Sequence, residues 1–423
     1  MMNENRHTPL LSICMPTYNR ACLLEQMLRS LVPQVKTFSP EVELIVSDNC
    51  STDNTREVVE RARAWGPIRY HRNTRNEGAA RNIMLLTNEL ADGEFAWIIP
   101  DDDIVRPDGV DRVLAVLRAH PEVDYVFINV SCKSSEQRNA FGRPVSSTDF
   151  PDLLPTKAKS ITDRYVERWE ELIDPDVDEV FLGSAMCSVF RLSCWRKYRL
   201  ELNMTDEILP SLEYTYPHAV VLAHTMRGRK AYYIGYPCVI TFWGEQEWLG
   251  YVPMILTVRL QELLDLYIQL GVELERVEKC RRALLGRSLE ALAKMLVDPT
   301  TPGRQYFSFE EFLRRNGFHQ PETRDTNYSI KGNPDLPFVF RQETLSSLYL
   351  NIGYNYLRKN DKSQFLRFLV RAVATWPLNW QLYASLARNS LLFIRERVRP
   401  NRDKDKYHIN GNSGIDKPRD WRT

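Results

Sequence analysis

The sequence has no pair of cysteines in a CxxC spacing, although its 423 residues include eight cysteines. A zinc ribbon or a dithiol redox centre is therefore not expected. Several of the cysteines lie inside apolar stretches, where they predict small buried side chains. We expect reduced thiols in a cytoplasmic protein.

Long hydrophobic runs are also missing. No segment reaches the roughly 20 apolar residues that a membrane-spanning helix needs. The nearest candidate, residues 251–270, is interrupted by Arg259, Glu262 and Asp265 and predicts an amphipathic helix of a soluble protein. The first ten residues, MMNENRHTPL, are polar and do not predict a secretory signal.

An excess of charge of either sign is absent as well. The chain has 56 Lys and Arg residues against 55 Asp and Glu residues, which gives a formal net charge of +1. This balance argues against strong, non-specific binding to nucleic acid. The hydrophobic fraction of 43% is typical of a globular protein with a sizeable core.

What the first 130 residues do contain is an alternation of strand and helix patterns. The apolar runs that predict strands are LLSICMP (10–16), VELIVSD (42–48), IRYHRN (68–73), EFAWIIP (94–100) and VDYVFINV (123–130). The segments between them have helical spacing. The pattern predicts an α/β fold, in which a mostly parallel sheet carries helices on both faces.

The remainder of the chain is less regular. A helix is expected at residues 163–173, and strand-like composition returns at 180–192 and 230–243. From about residue 250 the pattern is helical. Residues 347–387 are typical of one tetratricopeptide-type hairpin followed by a third helix that starts at Pro377, and one copy is too few for a repeat array.

Polar side chains follow four of the predicted strands. The clusters are Thr17–Arg20, Asp48–Ser51, Asn73–Glu77 and Asp101–Asp103. Ligands of such sheets bind in the crevice beyond the carboxyl ends of the strands. The shared position of the four clusters therefore predicts a ligand site at this edge.

The last cluster, in WIIPDDDIVRP (97–107), places three carboxylates in a row. They could form a turn that starts the next helix near Asp108. They could instead hold Mg²⁺ or Mn²⁺, which prefer oxygen ligands and would offset the repulsion between the acids. Since no basic residue follows until Arg106, we expect the ligand to bring the counter-ion.

Four motifs together resemble a known family. SICMPTYNR, ELIVSDNCSTDNT, NEGAARN and WIIPDDDIVRP occur in the order and spacing of the family 2 nucleotide-sugar glycosyltransferases, closely over residues 9–130 and weakly to about 245. The chain is similar to abequosyl- and rhamnosyl-type transferases of bacterial surface polysaccharides. The resemblance implies the GT-A fold with its mixed, mostly parallel sheet, made of a nucleotide-sugar-binding half (1–130) and an acceptor-binding half (131–250). Spacing and composition predict a helical region with the hairpin (251–399) and a disordered tail (400–423).

The resemblance also assigns residues to the donor site. The positions that it implies for nucleotide contacts are Pro16, Thr17, Tyr18, Arg20, Asp48, Asn49, Asn76, Gly78, Arg81, Asp101 and Asp102. Asp103, with Asp102, matches the metal-ligating position. Many relatives have an acid where Pro100 stands, so which of these carboxylates contacts the metal stays open.

A transferase of this kind implies inversion at the anomeric carbon, with a general base that activates the acceptor hydroxyl. The candidates for the base are Glu213, which we favour, Asp206 and Glu207. His218 could be a metal ligand, a base or a packed helix residue. The usual ED pair and the later RW motif of the family are not clear in this sequence.

The expected partners are a nucleoside-diphosphate sugar donor and a polyprenyl-linked glycan acceptor. Trp243 and Trp248 could stack on the acceptor sugar or pack as core or rim aromatics. Basic and aromatic residues of the C-terminal helices fit the face of an anionic membrane on its cytoplasmic side, and they fit a solvated bundle equally well. The basic residues concerned are Arg358, Lys359, Lys362, Arg367, Arg371, Arg388, Arg395, Arg397 and Arg399.

Two other functions fit less well. A sugar-phosphate nucleotidyltransferase usually has a GxGTRL-like loop after the first strand, and PTYNR lacks it. A non-catalytic scaffold could use the C-terminal hairpin to hold partners. The presence of all four nucleotide motifs argues against a scaffold.

Overall fold

The computed structural model describes residues 8–139, 158–244, 246–316, 338–358 and 361–375. Nine strands in these residues form one sheet, in the order β3-β2-β1-β4-β8-β6-β9-β5, with β7 paired to β9. The strands are β1 Leu11–Thr17, β2 Val42–Asp48, β3 Arg69–Arg72, β4 Phe95–Ile98, β5 Ile104–Val105, β6 Tyr125–Ser134, β7 Arg164–Val166, β8 Ser188–Arg191 and β9 Ala231–Trp243.

Parallel ladders join β3, β2, β1 and β4 side by side, and a further parallel ladder joins β6 to β9. The short strand β8 lies antiparallel between β4 and β6. Strands β5 and β7 are antiparallel to β9. The parallel ladders contain most of the paired residues, so the predicted mixed, mostly parallel sheet is confirmed.

Helices connect the strands, and further helices come after the last strand in the chain. They are α1 Ala21–Phe38, α2 Thr55–Ala62, α3 Ala79–Leu85, α4 Gly109–Ala119, α5 Ser135–Asn139, α6 Leu192–Trp195, α7 Leu212–Thr215, α8 Pro217–Met226, α9 Val252–Met254, α10 Leu260–Gln269, α11 Leu274–Val297, α12 Phe309–Arg315, α13 Phe338–Arg358 and α14 Lys362–Thr375. Helix α1 contacts α2 and α4, and α3 contacts α7 and α8.

The direction of the chain along the sheet explains these two groups of helices. The chain passes from β1 to β2 to β3 and then returns to β4 on the other side of β1. Because parallel crossovers are right-handed, the reversal places α3 on the face opposite to α1 and α2. The reversal also makes the carboxyl ends of β1 and β4 the switch point, where ligands of such sheets bind.

The core lies between the sheet and both helix layers. Strands β1 and β4 are almost completely buried, which explains why they read as continuous apolar runs rather than alternating ones. Phe190 stacks on Trp195 with ring centroids 4.3 Å apart. The Trp97 ring is 0% exposed, and its Nε1 donates to the Met186 carbonyl at 2.8 Å.

Two sequence-based expectations for the chain beyond residue 130 have different outcomes. The helix expected at 163–173 is wrong, since the chain forms β7 and a 3₁₀ turn at Trp169–Leu172. Strand β9 is thirteen residues long and offers β7 an antiparallel partner, which local spacing does not reveal. Residues 251–270 are helical as expected, with a π-helical turn at Ile255–Arg259 between α9 and α10.

The chain divides into two compact units, Met1–Leu336 and Pro337–Thr423. In the second, α13 and α14 pack against each other, and Ser346 Oγ donates to the Ala372 carbonyl at 2.8 Å. These helices confirm the predicted helical C-terminal region. The third helix from Pro377, the basic residues from Arg388 onward and the tail 400–423 lie outside the described residues. Among the helices that are described, none is long and apolar enough to cross a membrane.

Candidate active site

Thr17 and Asp101 meet at the switch point of the sheet. Thr17 is the last residue of β1, and Asp101 lies shortly after the end of β4, the strand that pairs with β1. Thr17 Oγ1 donates to Asp101 Oδ2 at 2.6 Å, and Arg20 Nη1 donates to Asp101 Oδ1 at 3.2 Å. Asp101 is 2% exposed, and burial raises the pKa of its carboxyl to about 6, against the opposing effect of Arg20.

Two arginines of the chain compensate part of the acidic triplet. Arg20 Nη1 lies 3.3 Å from Asp102 Oδ2 as well as contacting Asp101. Arg138 Nη2 donates to the backbone carbonyl of Asp102, and the Arg138 guanidinium lies 3.8 Å from the centre of the Phe242 ring. The chain itself therefore supplies part of the positive charge, and a further counter-ion brought by the ligand stays a prediction. Both arginines are distant in sequence from the triplet.

Asp103 is the triplet member with a free oxygen. Its side chain is buried, with 3% of the residue exposed, and its Oδ2 has no hydrogen-bond partner in the described part of the chain. A backbone hydrogen bond from Phe242 reaches the carboxylate, because β5 pairs with β9 immediately after Asp103. Burial, followed by repulsion from Asp102, raises the pKa of Asp103 well above its ordinary value.

This arrangement fits a divalent cation. A buried carboxylate oxygen that lacks a donor is costly unless a ligand meets it. Asp102 and Asp103 are consecutive carboxylates in the turn between β4 and β5, and oxygen is the ligand that Mg²⁺ and Mn²⁺ prefer. The residues that the structure describes contain no group of three or more His, Cys, Asp or Glu side chains placed to hold a metal. A cation here would therefore need water or substrate oxygens as further ligands.

The carboxylate of Asp48 accepts hydrogen bonds from other residues of the chain. The residue is 0% exposed and accepts hydrogen bonds from Tyr70 Oη at 2.6 Å and from the Ser51 backbone N–H at 2.8 Å. Arg72 Nε lies 3.3 Å from its second oxygen. The half-buried Tyr70 and the exposed Arg72 therefore stand between this carboxylate and solvent. A nucleobase contact of Asp48 stays a prediction.

The two predicted asparagines shape the loop that leads into α3. Asn49 Nδ2 donates to Asn76 Oδ1 at 2.6 Å, and the backbone N–H of Glu77 donates to Asn49 Oδ1 at 2.9 Å. Gly78 precedes α3 with a φ of +84°, a conformation that glycine adopts without steric cost. Pro16 and Tyr18 are half-buried at the end of β1.

Arg81 links the NEGAARN motif to a distant loop. Its Nη1 donates to the Leu202 carbonyl, and its Nη2 lies 2.9 Å from Glu77 Oε2. A cavity of about 800 Å³ opens beside it, lined also by Arg72 and Arg199. The NEGAARN motif and the loop before the predicted bases therefore line the same cavity.

The predicted bases lie in and after that loop. Asp206 and Glu207 are exposed, and Glu207 Oε2 accepts a hydrogen bond from Tyr306 Oη at 2.6 Å. Glu213 is half-buried in α7 and accepts from Ser211 Oγ. Since α7 contacts α3, the helix of Glu213 lies next to the helix of Arg81.

His218 is enclosed in α8. The residue is 4% exposed, and its Nε2 lies 3.0 Å from the Gly183 carbonyl, so Nε2 carries the ring proton. Burial lowers the pKa of the imidazole to about 4. Of the three roles that the sequence left open, this environment favours the packed helix residue.

Trp243 and Trp248 form an exposed aromatic pair. Their ring centroids are 5.5 Å apart in a T-shaped arrangement, and the residues are 49% and 37% exposed. Trp243 directly follows Phe242, whose backbone contacts Asp103. The exposure excludes the core alternative and leaves a rim or sugar-stacking role.

Sequence reasoning missed several neighbours of the site. Arg138 and Tyr70 belong to none of the four motifs. The motifs predict that Arg20 contacts the nucleotide, whereas the structure shows it beside Asp101 and Asp102. The contact between Arg138 and Asp102 spans 36 residues of chain. No local spacing could have indicated it.

The similarity to known sequences lies in the first part of the chain, which carries most of the candidate site residues. Residues 12–168 match the family model described as Glycosyl transferase family 2. The abequosyltransferase RfbV of Salmonella typhimurium is 41% identical over 116 residues, which are 26% of this chain and 32% of that protein. The poly(ribitol-phosphate) beta-N-acetylglucosaminyltransferase TarS of Staphylococcus aureus is 32% identical over 149 residues, 34% of this chain and 24% of that protein.

The matched stretch thus spans about a third or less of the length of these two relatives. The crystal structure of S. aureus TarS 1–349 in complex with UDP-GlcNAc aligns with 86% of this chain and 91% of that chain, at 17% identity and a TM-score of 0.48. The family match and the sheet order agree with the GT-A fold that the motifs predicted.

Proposed function

We propose, on the premise that residues 12–168 form a family 2 glycosyltransferase domain, that the protein transfers a sugar from a nucleoside-diphosphate sugar to a hydroxyl group. The observation that carries this proposal is the geometry of Asp103. Its buried Oδ2 lacks a partner in the described part of the chain, next to Asp102 in the turn between β4 and β5. A phosphate-bound cation explains why such an oxygen is retained there.

The residues of the chain have separate tasks in this proposal. Asp102 and Asp103 would hold Mg²⁺ or Mn²⁺, which when bound supplies positive charge to the departing diphosphate. Thr17 and Arg20 fix the orientation of Asp101 through hydrogen bonds of 2.6 and 3.2 Å. Arg20 thereby limits the repulsion among the acids when the donor is absent.

The transfer itself needs a base and no enzyme nucleophile. The base removes the proton of the acceptor hydroxyl, whose oxygen bonds to the anomeric carbon while the bond from that carbon to the diphosphate oxygen breaks. Attack from the face opposite to the leaving group inverts the configuration. We assign the base to Glu213, because its helix packs against α3, and retain Asp206 and Glu207 as alternatives.

A donor screen and one substitution test the proposal. We would add UDP, GDP, dTDP or CDP, each with and without Mn²⁺, and only the nucleotide with the correct base should raise the thermal midpoint. At 100 times its Kd, that nucleotide should raise the free energy of unfolding by about 2.7 kcal/mol. Asp103→Asn should lower transfer by about 100-fold or more. Its thermal midpoint should not fall, because asparagine keeps an oxygen for the Phe242 N–H and relieves the repulsion from Asp102.

Asp92→Asn is the matched control, since that exposed acid pairs with Arg69 away from the crevice. It should keep wild-type transfer. Full transfer by Asp103→Asn, measured with the donor found in the screen, would contradict the metal assignment.

The acceptor and location extend the same proposal. The two relatives are named as an abequosyltransferase and as a poly(ribitol-phosphate) beta-N-acetylglucosaminyltransferase, and we propose for this protein a polyprenyl-linked glycan acceptor in surface-polysaccharide (O-antigen, capsule or exopolysaccharide) synthesis. The exposed Trp243 and Trp248 would stack on its sugar. The protein would act at the cytoplasmic face of the membrane, which the basic α14 would contact.

A further inference from the structure

The loop at residues 199–211 carries two of the three carboxylates proposed as the base and leads into the third. It has no helix or strand, and residues 203–208 are all exposed. Burial of apolar side chains therefore cannot fix this part of the loop. A base must nevertheless lie within hydrogen-bond reach of the proton that it removes. The loop consequently needs anchors from elsewhere in the chain.

Arg259, in the π-helical turn before α10, is the strongest of these anchors. The residue is 3% exposed, and its Nη2 donates to the carbonyls of Leu209 at 3.1 Å and Pro210 at 2.7 Å. Its Nη1 donates to both carboxylate oxygens of Glu262 at 3.0 and 2.8 Å. The planar guanidinium can make these contacts at once, which an ammonium group cannot.

The backbone conformation of Leu209 shows that the anchor holds strain. Leu209 has a φ of +53°, in the left-handed region that residues other than glycine, asparagine and aspartate rarely adopt because of their Cβ. Such conformations persist only where the surroundings enforce them, and they cluster at functional sites. Arg259 binds the carbonyl of this very residue.

Neighbouring contacts extend the anchor in both directions. The Tyr306 ring lies 4.7 Å from the Arg259 guanidinium, and its hydroxyl donates to Glu207 at 2.6 Å. At the start of the loop, Arg81 binds the Leu202 carbonyl. The loop is thus tied to the nucleotide motif at one end and to the helical region at the other.

We propose that Arg259 is a positioning residue of sugar transfer, which fixes the loop and the start of α7 so that the base reaches the acceptor hydroxyl. The inference rests on the proposed function. Arg259 itself contacts neither substrate nor reacting atoms. Its loss should therefore reduce the rate of the chemical step and spare donor binding.

Arg259→Met is the test variant, and Arg281→Met is its matched control. Arg281 is also 3% exposed and lies in the same helical region, where it bonds to Gln261 at 2.8 Å and to Asp265 at 2.9 Å but contacts no residue of the loop. Both variants lose a buried guanidinium. With the nucleotide sugar found in the screen, Arg259→Met should lower kcat at least about tenfold and leave the donor KM within about twofold. Arg281→Met should keep the wild-type kcat, and Arg259→Lys should recover part of the loss.

A second measurement does not depend on activity. An endoproteinase that cleaves after glutamate should cut at Glu207 faster in Arg259→Met than in wild type or in Arg281→Met. If the wild-type chain transfers no sugar, the proposed function fails while the cleavage still tests the anchor. Equal cleavage in the two Met variants would overturn the inference, as would faster cleavage with an unchanged kcat.

Discussion

At the scale of single residues, the acidic triplet shows how a chain tolerates like charges before a ligand arrives. Arg20 contacts Asp101 and Asp102, and Arg138 binds the backbone beside them. Only Asp103 keeps a buried oxygen without a partner. The three carboxylates are therefore not equivalent, although they are adjacent and identical in the sequence.

His218 gives a pH prediction at the same scale. Burial lowers the pKa of its imidazole to about 4 in the folded protein, against about 6.5 for the exposed side chain of the unfolded chain. Between these values the unfolded chain binds the extra proton, so the free energy of unfolding falls as pH falls. From pH 7 to pH 5 this residue should account for about 2 kcal/mol of the loss. His218→Gln, which can still donate to Gly183, should reduce the loss by that amount in urea titrations.

The control for this prediction is His224→Gln. His224 is exposed on the same helix, so this variant should keep the wild-type pH dependence. The same pH dependence in His218→Gln and wild type would show that the imidazole is not held neutral in the fold.

At the scale of elements, β9 positions the second half of the site. It pairs with β6, β5 and β7, and its end brings the Phe242 backbone to Asp103. The ladder to β6 shifts register between Ile128 and Val130. Gly235 lies in the irregular stretch, where Asn129 Nδ2 donates to its carbonyl at 2.9 Å. A bulge at such a position re-aims the residues that follow.

Gly235→Ala should disturb this element strongly. A Cβ at Gly235 would lie 2.3 Å from the Ile161 carbonyl carbon and 2.4 Å from its oxygen, so one of two backbones must move. We expect the free energy of unfolding to fall by about 2 kcal/mol or more. Denaturant unfolding measures the change.

Gly286→Ala is the matched control. Gly286 is exposed inside α11, and a Cβ there meets nothing within 4 Å. The substitution should raise the free energy of unfolding by about 0.5–1 kcal/mol, because alanine loses less backbone entropy in a helix. A similar loss from both substitutions would contradict the close approach at Gly235.

At the scale of the whole molecule, a net charge of +1 cannot attract the chain to an anionic surface. Any attraction must come from a local cluster. In α14, Leu366 and Val370 are 59% and 60% exposed one turn apart, beside Arg367 and Arg371. This combination of apolar and basic side chains is typical of helices that lie on membranes.

Vesicle sedimentation measures that proposal. The full chain should bind phosphatidylglycerol vesicles more than phosphatidylcholine vesicles, and 1 M NaCl should weaken the binding, because the screening length falls from about 10 Å at 0.1 M to about 3 Å. Replacing Leu366 and Val370 by serine should reduce binding. Serine at Ile161 and Leu274, which are 69% and 60% exposed in the first unit, is the control. Equal binding to neutral vesicles would end the membrane proposal.

The sequence alone determined the alternation of strands and helices, the edge of the sheet at which the candidate site residues gather, and the resemblance of residues 12–168 to the matched family model. These are local properties, because hydrophobic periodicity and motif spacing depend on neighbours a few residues apart. Only the tertiary structure decided that Arg138 lies beside Asp102 and that Tyr70 and Arg72 contact the Asp48 carboxylate. It also decided that Arg259 donates a hydrogen bond to the carbonyl of Leu209, 50 residues away in the chain. It also turned the expected helix at 163–173 into β7, since pairing with a long strand outweighs local spacing. Contacts between distant segments exist only once the sheet has brought them together, and no short pattern encodes them.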